Sequence, residues 1–95
     1  AHGLIIGGED SAESGLTAEL EALARQLGVA DRIHFTGHRT DAPRLLLASD
    51  LLCFVPTRPE PFGRTLIEGM AAGLPVVGAR SGAIPDIIVE NETGL

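Results

Sequence analysis

Two carboxylates, those of Glu60 and Glu68, stand eight positions apart across the start of a predicted helix. Gly63 permits a tight turn out of the preceding loop, and residues 64–72 favour a helix until Gly73 ends it. Glu60 should therefore precede the helix, and Glu68 should lie on it. A carboxylate can accept hydrogen bonds from two hydroxyls at once, and a vicinal diol presents two hydroxyls. The pair is therefore suited to bind sugar hydroxyls.

The N-terminus of this helix is a predicted anion site. Its first N–H groups, those of Gly63, Arg64 and Thr65, have no partner within the helix, and phosphate is the usual ligand of such groups. Phosphate-binding amides between two carboxylates favour a nucleotide sugar as the ligand. A simpler interpretation makes Glu68 only a solvated partner of Arg64, because ion pairs at positions i and i+4 of a helix are common and weak.

The rest of the chain alternates short apolar runs with amphipathic segments. The predicted strands are residues 4–6, 33–36, 51–55 and 75–79, and the predicted helices lie between Leu16 and Leu27, between Asp41 and Ala48, at 63–72 and at 85–88. Short loops between strands and helices imply right-handed βαβ crossovers and therefore an α/β fold with a Rossmann-like open parallel sheet. We place no domain boundary inside residues 1–95.

Several finer expectations follow from the same pattern. The run Leu4 to Ile6 is wholly apolar, which is typical of a strand buried on both faces. Thr17 is expected to cap the first helix, and the polar segment 9–15 is expected to form the loop before it. In the helix at 63–72 the predicted core face consists of Leu66, Ile67, Met70 and Ala71.

Composition excludes several classes of function. The net charge is −6 and the seven basic residues are scattered arginines, which argues against a nucleic-acid partner. The single cysteine, Cys53, cannot form a disulfide within the chain and is expected to be a buried small hydrophobe in a reducing compartment. No apolar run is long enough to span a bilayer and no signal peptide is visible, so we expect a cytoplasmic protein.

The segment from Glu60 to Gly78, followed by residues 81–88 and 91–95, resembles the C-terminal, donor-binding domain of retaining family 4 glycosyltransferases of the GT-B fold. The similarity extends upstream through residues 7–8, 35–37 and 51–56, so it covers nearly the whole chain. A pair of glutamates with this spacing is weak evidence alone. Joined to Phe62-Gly63, residues 69–73 and residues 75–77, the pair is a specific motif.

The resemblance assigns roles to individual residues. Glu60 is implied to be the catalytic-site carboxylate that binds hydroxyls of the donor sugar, and Phe62 and Gly63 to offer backbone groups to the sugar and the diphosphate. Glu68 is implied to hold the ribose, while Arg64 and Thr65 belong to the helix start that contacts the donor. The loops at Gly7 and at Gly37-His38 are implied to lie near the nucleotide. His34, by contrast, alternates with core residues and is expected to be structural.

The resemblance also implies what the chain requires. No metal and no cofactor are expected, because the histidines and acids show no metal-ligand spacing and the nucleoside diphosphate sugar is itself a substrate. The Arg and Lys that neutralise the diphosphate, the acceptor site and any membrane association are expected in residues outside this sequence. We therefore expect a partial domain, truncated at both ends, that is inactive alone and self-associates or remains partly unfolded when made alone.

Two other functions remain open from the sequence. A related GT-B enzyme, either a nucleotide-sugar epimerase or a glycoside phosphorylase, would need further catalytic groups outside these residues. A nucleotide-binding Rossmann module without enzymatic activity would bind nucleotide alone, and Glu60 and Glu68 would then be dispensable for sugar recognition.

Overall fold

The computed structural model describes residues 1–9 and 14–95 and consists of two compact units, Ala1–Thr40 and Asp41–Leu95. The first unit contains β1 (Gly3–Ile6), α1 (Leu16–Gln26), a 3₁₀ turn (Ala30–Arg32) and β2 (Ile33–Gly37). The second contains α2 (Ala42–Leu47), β3 (Leu52–Phe54), α3 (Arg64–Ala71), β4 (Val76–Gly78) and α4 (Ile84–Ile87). Every predicted helix and strand is present, with ends that differ by a few residues at most.

The strands are parallel, as predicted, and confirm the α/β fold class. β1 pairs with β2 and β3 pairs with β4, so the described strands form two sheets of two parallel strands each. Leu4 and Ile5 are 43% and 41% exposed, and the prediction of a strand buried on both faces is therefore wrong for β1. Leu4 and Ile5 point to opposite faces of the strand, so both faces of β1 are partly open to solvent.

The core of the second unit lies between α3, β4 and α4. Leu66, Val76 and Ile84 are at most 2% exposed, and Ile88 completes the buried cluster. At about 1.5–3 kcal/mol for each fully buried aliphatic side chain, these contacts dominate the stability of the unit.

The buried face of α3 differs from the predicted one. Leu66 and Met70 face the core, but Ile67 and Ala71 are exposed, and Gly69 is buried instead. A side chain at Gly69 would overlap Leu52 of β3, so α3 lies very close to this strand at that position. The covered face of α3 is centred on Leu66 and Gly69, so Ile67 and Ala71 lie outside it.

Cys53 is exposed, so its predicted burial is wrong. Successive side chains of a strand point to opposite faces. Leu52 and Phe54 pack against the core of the second unit, and Cys53 therefore points away from it.

The side chain that caps the start of α1 is that of Glu9, which the sequence pattern did not single out. The N-cap residue is Gly15, and the Glu9 carboxylate accepts hydrogen bonds from the backbone N–H groups of Gly15 and Thr17. Thr17 is therefore inside the first turn rather than at the cap, and the predicted cap is wrong. Hydrogen bonds from the Thr17 side chain, the Thr17 backbone and the Gly15 backbone lower the pKa of Glu9 from its ordinary value of 4.5. The predicted loop at 9–15 lies partly outside the described residues.

His34 is exposed on β2, where it alternates with the partly buried Ile33 and Phe35, and its structural role stays a prediction. Its ring stacks on that of His2 with centroids 5.3 Å apart, and His2 Nδ1 lies 3.0 Å from His34 Nε2. Both side chains project from the same face of the two-stranded sheet, because the register pairs Leu4 with His34.

Candidate functional site

Glu60 lies in the loop between β3 and α3, and its carboxylate turns back onto the start of the helix. One oxygen, Oε1, accepts hydrogen bonds from the backbone N–H of Phe62 at 3.1 Å and of Gly63 at 2.9 Å. In the described part of the chain the other oxygen, Oε2, has no hydrogen-bond partner, and the residue is half-buried. The carboxylate is therefore held by one oxygen and can accept hydrogen bonds from a ligand with the other.

The main chain of Glu60 is held from another side, by the turn that follows β4. The Ala83 N–H donates to the Glu60 carbonyl oxygen at 2.7 Å, and Gly82 lies directly against the Glu60 backbone. β3 and β4 are parallel, so the loops that follow them leave the same edge of the sheet. This is the edge at which open α/β sheets bind ligands.

Gly63 is the N-cap of α3 and has φ 69°, a left-handed conformation that favours glycine. It is buried, and a side chain there would overlap Cδ1 of Ile87. A valine at this position would place a β-branched side chain at a left-handed φ and against Ile87, so it should disturb the fold as well as any ligand contact. Gly63 is part of the packing between α3 and α4 as well as part of the candidate site.

The predicted anion site at the start of α3 is smaller than expected. The N–H of Gly63 is already bonded to Glu60, and the Gly63 carbonyl oxygen accepts the Ile67 N–H at 3.1 Å as the first helical bond. The helix leaves the N–H groups of Arg64, Thr65 and Leu66 without intrahelical partners, and of these residues Arg64 and Thr65 are exposed. An anion at this end would therefore contact Arg64 and Thr65 first.

Glu68 lies one helical turn beyond Arg64, and both side chains are exposed. Arg80 pairs with Glu90 at 2.7 Å, whereas no ion pair joins Glu68 to Arg64, both of which the structure describes. The simpler interpretation of Glu68 as the partner of Arg64 therefore has no contact to support it. Phe62, next to Glu60, is 72% exposed, an unusual exposure for a large aromatic side chain.

The remaining candidates lie in the first unit, at the carboxyl ends of β1 and β2. The Gly7 N–H donates to the Gly37 carbonyl oxygen at 3.0 Å, and His38 follows directly with its side chain exposed. A cavity of about 480 Å³ opens beside them and is lined partly by Gly7, Gly37 and Thr36. Glu9 and Thr17 also line this cavity. The sequence feature that could have identified Glu9 was the position of its carboxylate, between a strand and the next predicted helix.

The described residues show neither a cluster of metal ligands nor a membrane-spanning helix. Residues 1–9 and 14–95 contain no group of three or more His, Cys, Asp or Glu side chains arranged to hold a metal ion. No helix in those two ranges has both the length and the apolar character needed to cross a membrane.

Comparison with known proteins identifies relatives along the whole chain. The chain is 39% identical over 72 residues to N-acetyl-alpha-D-glucosaminyl L-malate synthase of Bacillus anthracis, an alignment that covers 76% of this chain and 19% of that enzyme. It is 36% identical over 94 residues to D-inositol 3-phosphate glycosyltransferase of Mycobacteroides abscessus, covering 97% of this chain and 21% of the relative.

Solved structures give the same result. The crystal structure of Anabaena Alr3699/HepE in complex with UDP matches with a TM-score of 0.95 at 34% identity, over 100% of this chain and 26% of that protein. The same protein has been solved in complex with UDP-glucose, and that structure matches with a TM-score of 0.94. The α/β architecture with parallel strands is thus that of GT-B glycosyltransferases.

The chain spans about a fifth to a quarter of the length of these relatives. The family described as "Glycosyl transferases group 1" matches residues 2–95, nearly the full length of the sequence. The chain therefore belongs to the group 1 family of glycosyl transferases.

Proposed function

We propose that this chain is the donor-binding part of a retaining glycosyltransferase, of the family 4 type, that transfers a sugar from a nucleoside diphosphate to an acceptor. The observation that carries the proposal is the arrangement at Glu60. Two backbone N–H groups hold Oε1 of its carboxylate at the ligand-binding edge of a parallel sheet, and Oε2 is left to accept hydroxyls.

The parts of the donor are assigned along α3. Oε2 of Glu60 accepts hydrogen bonds from hydroxyls of the sugar, and the N–H groups of Arg64 and Thr65, which have no partner within the helix, contact the diphosphate. Glu68, exposed and without an ion-pair partner among the described residues, accepts both hydroxyls of the ribose. In the first unit, the backbone at Gly7, Gly37 and His38 contacts the nucleotide.

In this proposal the departing phosphate helps to activate the acceptor on the face of the sugar that it leaves. The bond from the anomeric carbon to the diphosphate oxygen breaks, the bond to the acceptor oxygen forms on the same face, and the acceptor proton passes to the phosphate. Glu60 orients the sugar during this exchange and does not attack it. The leaving charge is stabilised largely by an Arg and a Lys in other residues of the complete protein, which also carry the acceptor site.

UDP-glucose is the first donor to test, because Anabaena HepE has been solved with it and is 34% identical to this chain. The experiment uses the complete protein and compares wild type with Glu60→Gln, Glu68→Gln and a control, Glu92→Gln, whose side chain is exposed in the second unit. A glutamine at position 60 keeps an Oε1 that can accept the two N–H bonds, so this variant changes the second oxygen and the charge. Transfer is measured by release of UDP, and binding of free UDP by calorimetry.

Each lost charged hydrogen bond costs about 1.5–3 kcal/mol, roughly a 10- to 150-fold change. Glu60→Gln should lower turnover by that factor and leave UDP affinity nearly unchanged, whereas Glu68→Gln should weaken UDP binding. Equal UDP binding by wild type and Glu68→Gln would contradict the ribose assignment. Binding of UDP without transfer from any donor, and with no effect of Glu60→Gln on donor affinity, would favour a nucleotide-binding module instead.

Two further parts of the proposal have direct tests. Transfer is proposed to need no metal and no cofactor, so EDTA should leave turnover unchanged. Retention is proposed at the anomeric carbon, so proton NMR of the first-formed product should show the anomeric configuration of the donor; an inverted product would contradict it.

A further inference from the structure

The turn after β4 holds the Glu60 backbone by contacts between main-chain atoms. Ala83 donates its N–H to the Glu60 carbonyl oxygen at 2.7 Å. Gly82, with φ 58°, lies so close that a Cβ added there would stand 2.9 Å from the Glu60 carbonyl carbon and nearer still to its carbonyl oxygen. Main-chain atoms cannot rotate out of the way as a side-chain end can, so any side chain at position 82 must displace the Glu60 backbone.

The same turn is fixed to the core of the second unit. Ser81 accepts the Ile84 N–H through its carbonyl oxygen at 3.2 Å, and Ile84 is only 2% exposed. Ala83 in turn accepts the Asp86 N–H at 3.1 Å as α4 begins. This turn therefore links the main chain of Glu60 to the buried side chain of Ile84.

Glu60 is thus held at two points, its carboxylate by the start of α3 and its main chain by the turn after β4. From this we infer that Gly82 is a positioning residue for Glu60, and that it sets where the free carboxylate oxygen meets the donor sugar. The inference rests on the sugar-binding role proposed for Glu60 and adds a residue outside the glutamate motif. Misplacing a substrate-orienting group by about 1 Å can cost on the order of 100-fold in rate.

Gly73 provides a matched control. Its φ of 78° is also left-handed, so an alanine there meets a similar backbone penalty, but no heavy atom lies within 4 Å of the added Cβ. Gly73 follows the end of α3 and has no part in the proposed site. The difference between Gly82→Ala and Gly73→Ala therefore isolates the displacement of Glu60.

The test measures turnover of UDP-glucose and affinity for free UDP in the complete protein. Gly82→Ala should lower turnover on the order of 10- to 100-fold while UDP affinity changes by less than about 2-fold, and Gly73→Ala should leave both near the wild-type values. Because Gly82 acts through Glu60, adding Gly82→Ala to Glu60→Gln should lower turnover little further.

Unchanged turnover in Gly82→Ala, a parallel loss of UDP affinity, or full additivity with Glu60→Gln would each overturn the inference. If Gly82→Ala does not fold, Ala83→Pro carries the test, since the φ of −77° at position 83 suits proline and the change removes the N–H that binds Glu60. The proposed function fails separately, when Glu60→Gln alone leaves turnover intact. Lower turnover in Glu60→Gln with unchanged turnover in Gly82→Ala would contradict only the positioning role of Gly82.

Discussion

Replacing Gly63 by alanine tests whether the start of α3 is fixed by packing as well as by hydrogen bonding. An alanine at φ 69° carries a left-handed penalty of about 1–2 kcal/mol, and its Cβ would overlap Ile87 Cδ1 in a buried position. Because Cδ1 is the end of a side chain, Ile87 can rotate away from the added Cβ at a cost on the order of 0.5–1.5 kcal/mol. We therefore expect Gly63→Ala to destabilise the second unit by roughly 1.5–3.5 kcal/mol.

The two contributions can be separated with variants that this chain offers. Gly73→Ala carries the backbone penalty without a neighbour within 4 Å, so it should cost only about 1–2 kcal/mol. Ile87→Ala removes the side-chain atoms that block position 63. In that background Gly63→Ala should also cost only the backbone penalty, which gives a coupling of about 0.5–1.5 kcal/mol between the two positions.

Native-state hydrogen exchange of the α3 amides is the suitable assay, because it reports the free energy of opening this region within a larger protein. An equal loss of opening free energy in Gly63→Ala and Gly73→Ala would show that packing adds nothing at position 63. An equal loss from Gly63→Ala with alanine or isoleucine at position 87 would show that Ile87 is not the obstacle.

Three other substitutions test the fold. Gly69→Ala should destabilise α3 by about 1–2 kcal/mol in hydrogen exchange, because the overlap with Leu52 outweighs a helix-propensity gain of about 1 kcal/mol; a more stable variant would contradict the close approach of α3 to β3. Leu66→Ala should cost about 3–5 kcal/mol, since Leu66 is 0% exposed, and a loss under 1 kcal/mol would place the core elsewhere. The hydrogen bonds that lower the pKa of Glu9 stabilise the fold at pH values above 4.5, the ordinary pKa of a glutamate. This contribution is lost as the pH falls through the lowered pKa. The melting temperature of Glu9→Gln should therefore lie below wild type at about pH 6 and approach it at acid pH, whereas a pH-independent difference would show that the carboxylate does not cap α1.

Hydrophobic periodicity and glycine positions were sufficient to predict the helices and strands. Gly73 has positive φ just beyond the end of α3, where the sequence placed the helix stop. Periodicity could not predict which residues of α3 are buried. That outcome depends on Gly69 and its close approach to Leu52, a contact between two segments that no local pattern encodes.

The candidate site shows the same division. The sequence placed Glu60 before α3 and Glu68 on it, and the structure agrees with both positions, while the roles given to them remain predictions. The bonds from Phe62 and Gly63 to the Glu60 carboxylate are local, but they compete with the ligand that the sequence assigned to the same N–H groups. Gly82 and Glu60 are distant in sequence, so only the folded structure shows the contact between them.

A crystal structure of the complete protein with UDP-glucose, and without acceptor, would show directly where the donor binds. We expect glucose hydroxyls within hydrogen-bond distance of Glu60 Oε2, the ribose diol on the Glu68 carboxylate, and the diphosphate against the N–H groups of Arg64 and Thr65. A nucleotide bound away from the carboxyl ends of β3 and β4, with both carboxylates facing solvent, would contradict this expectation.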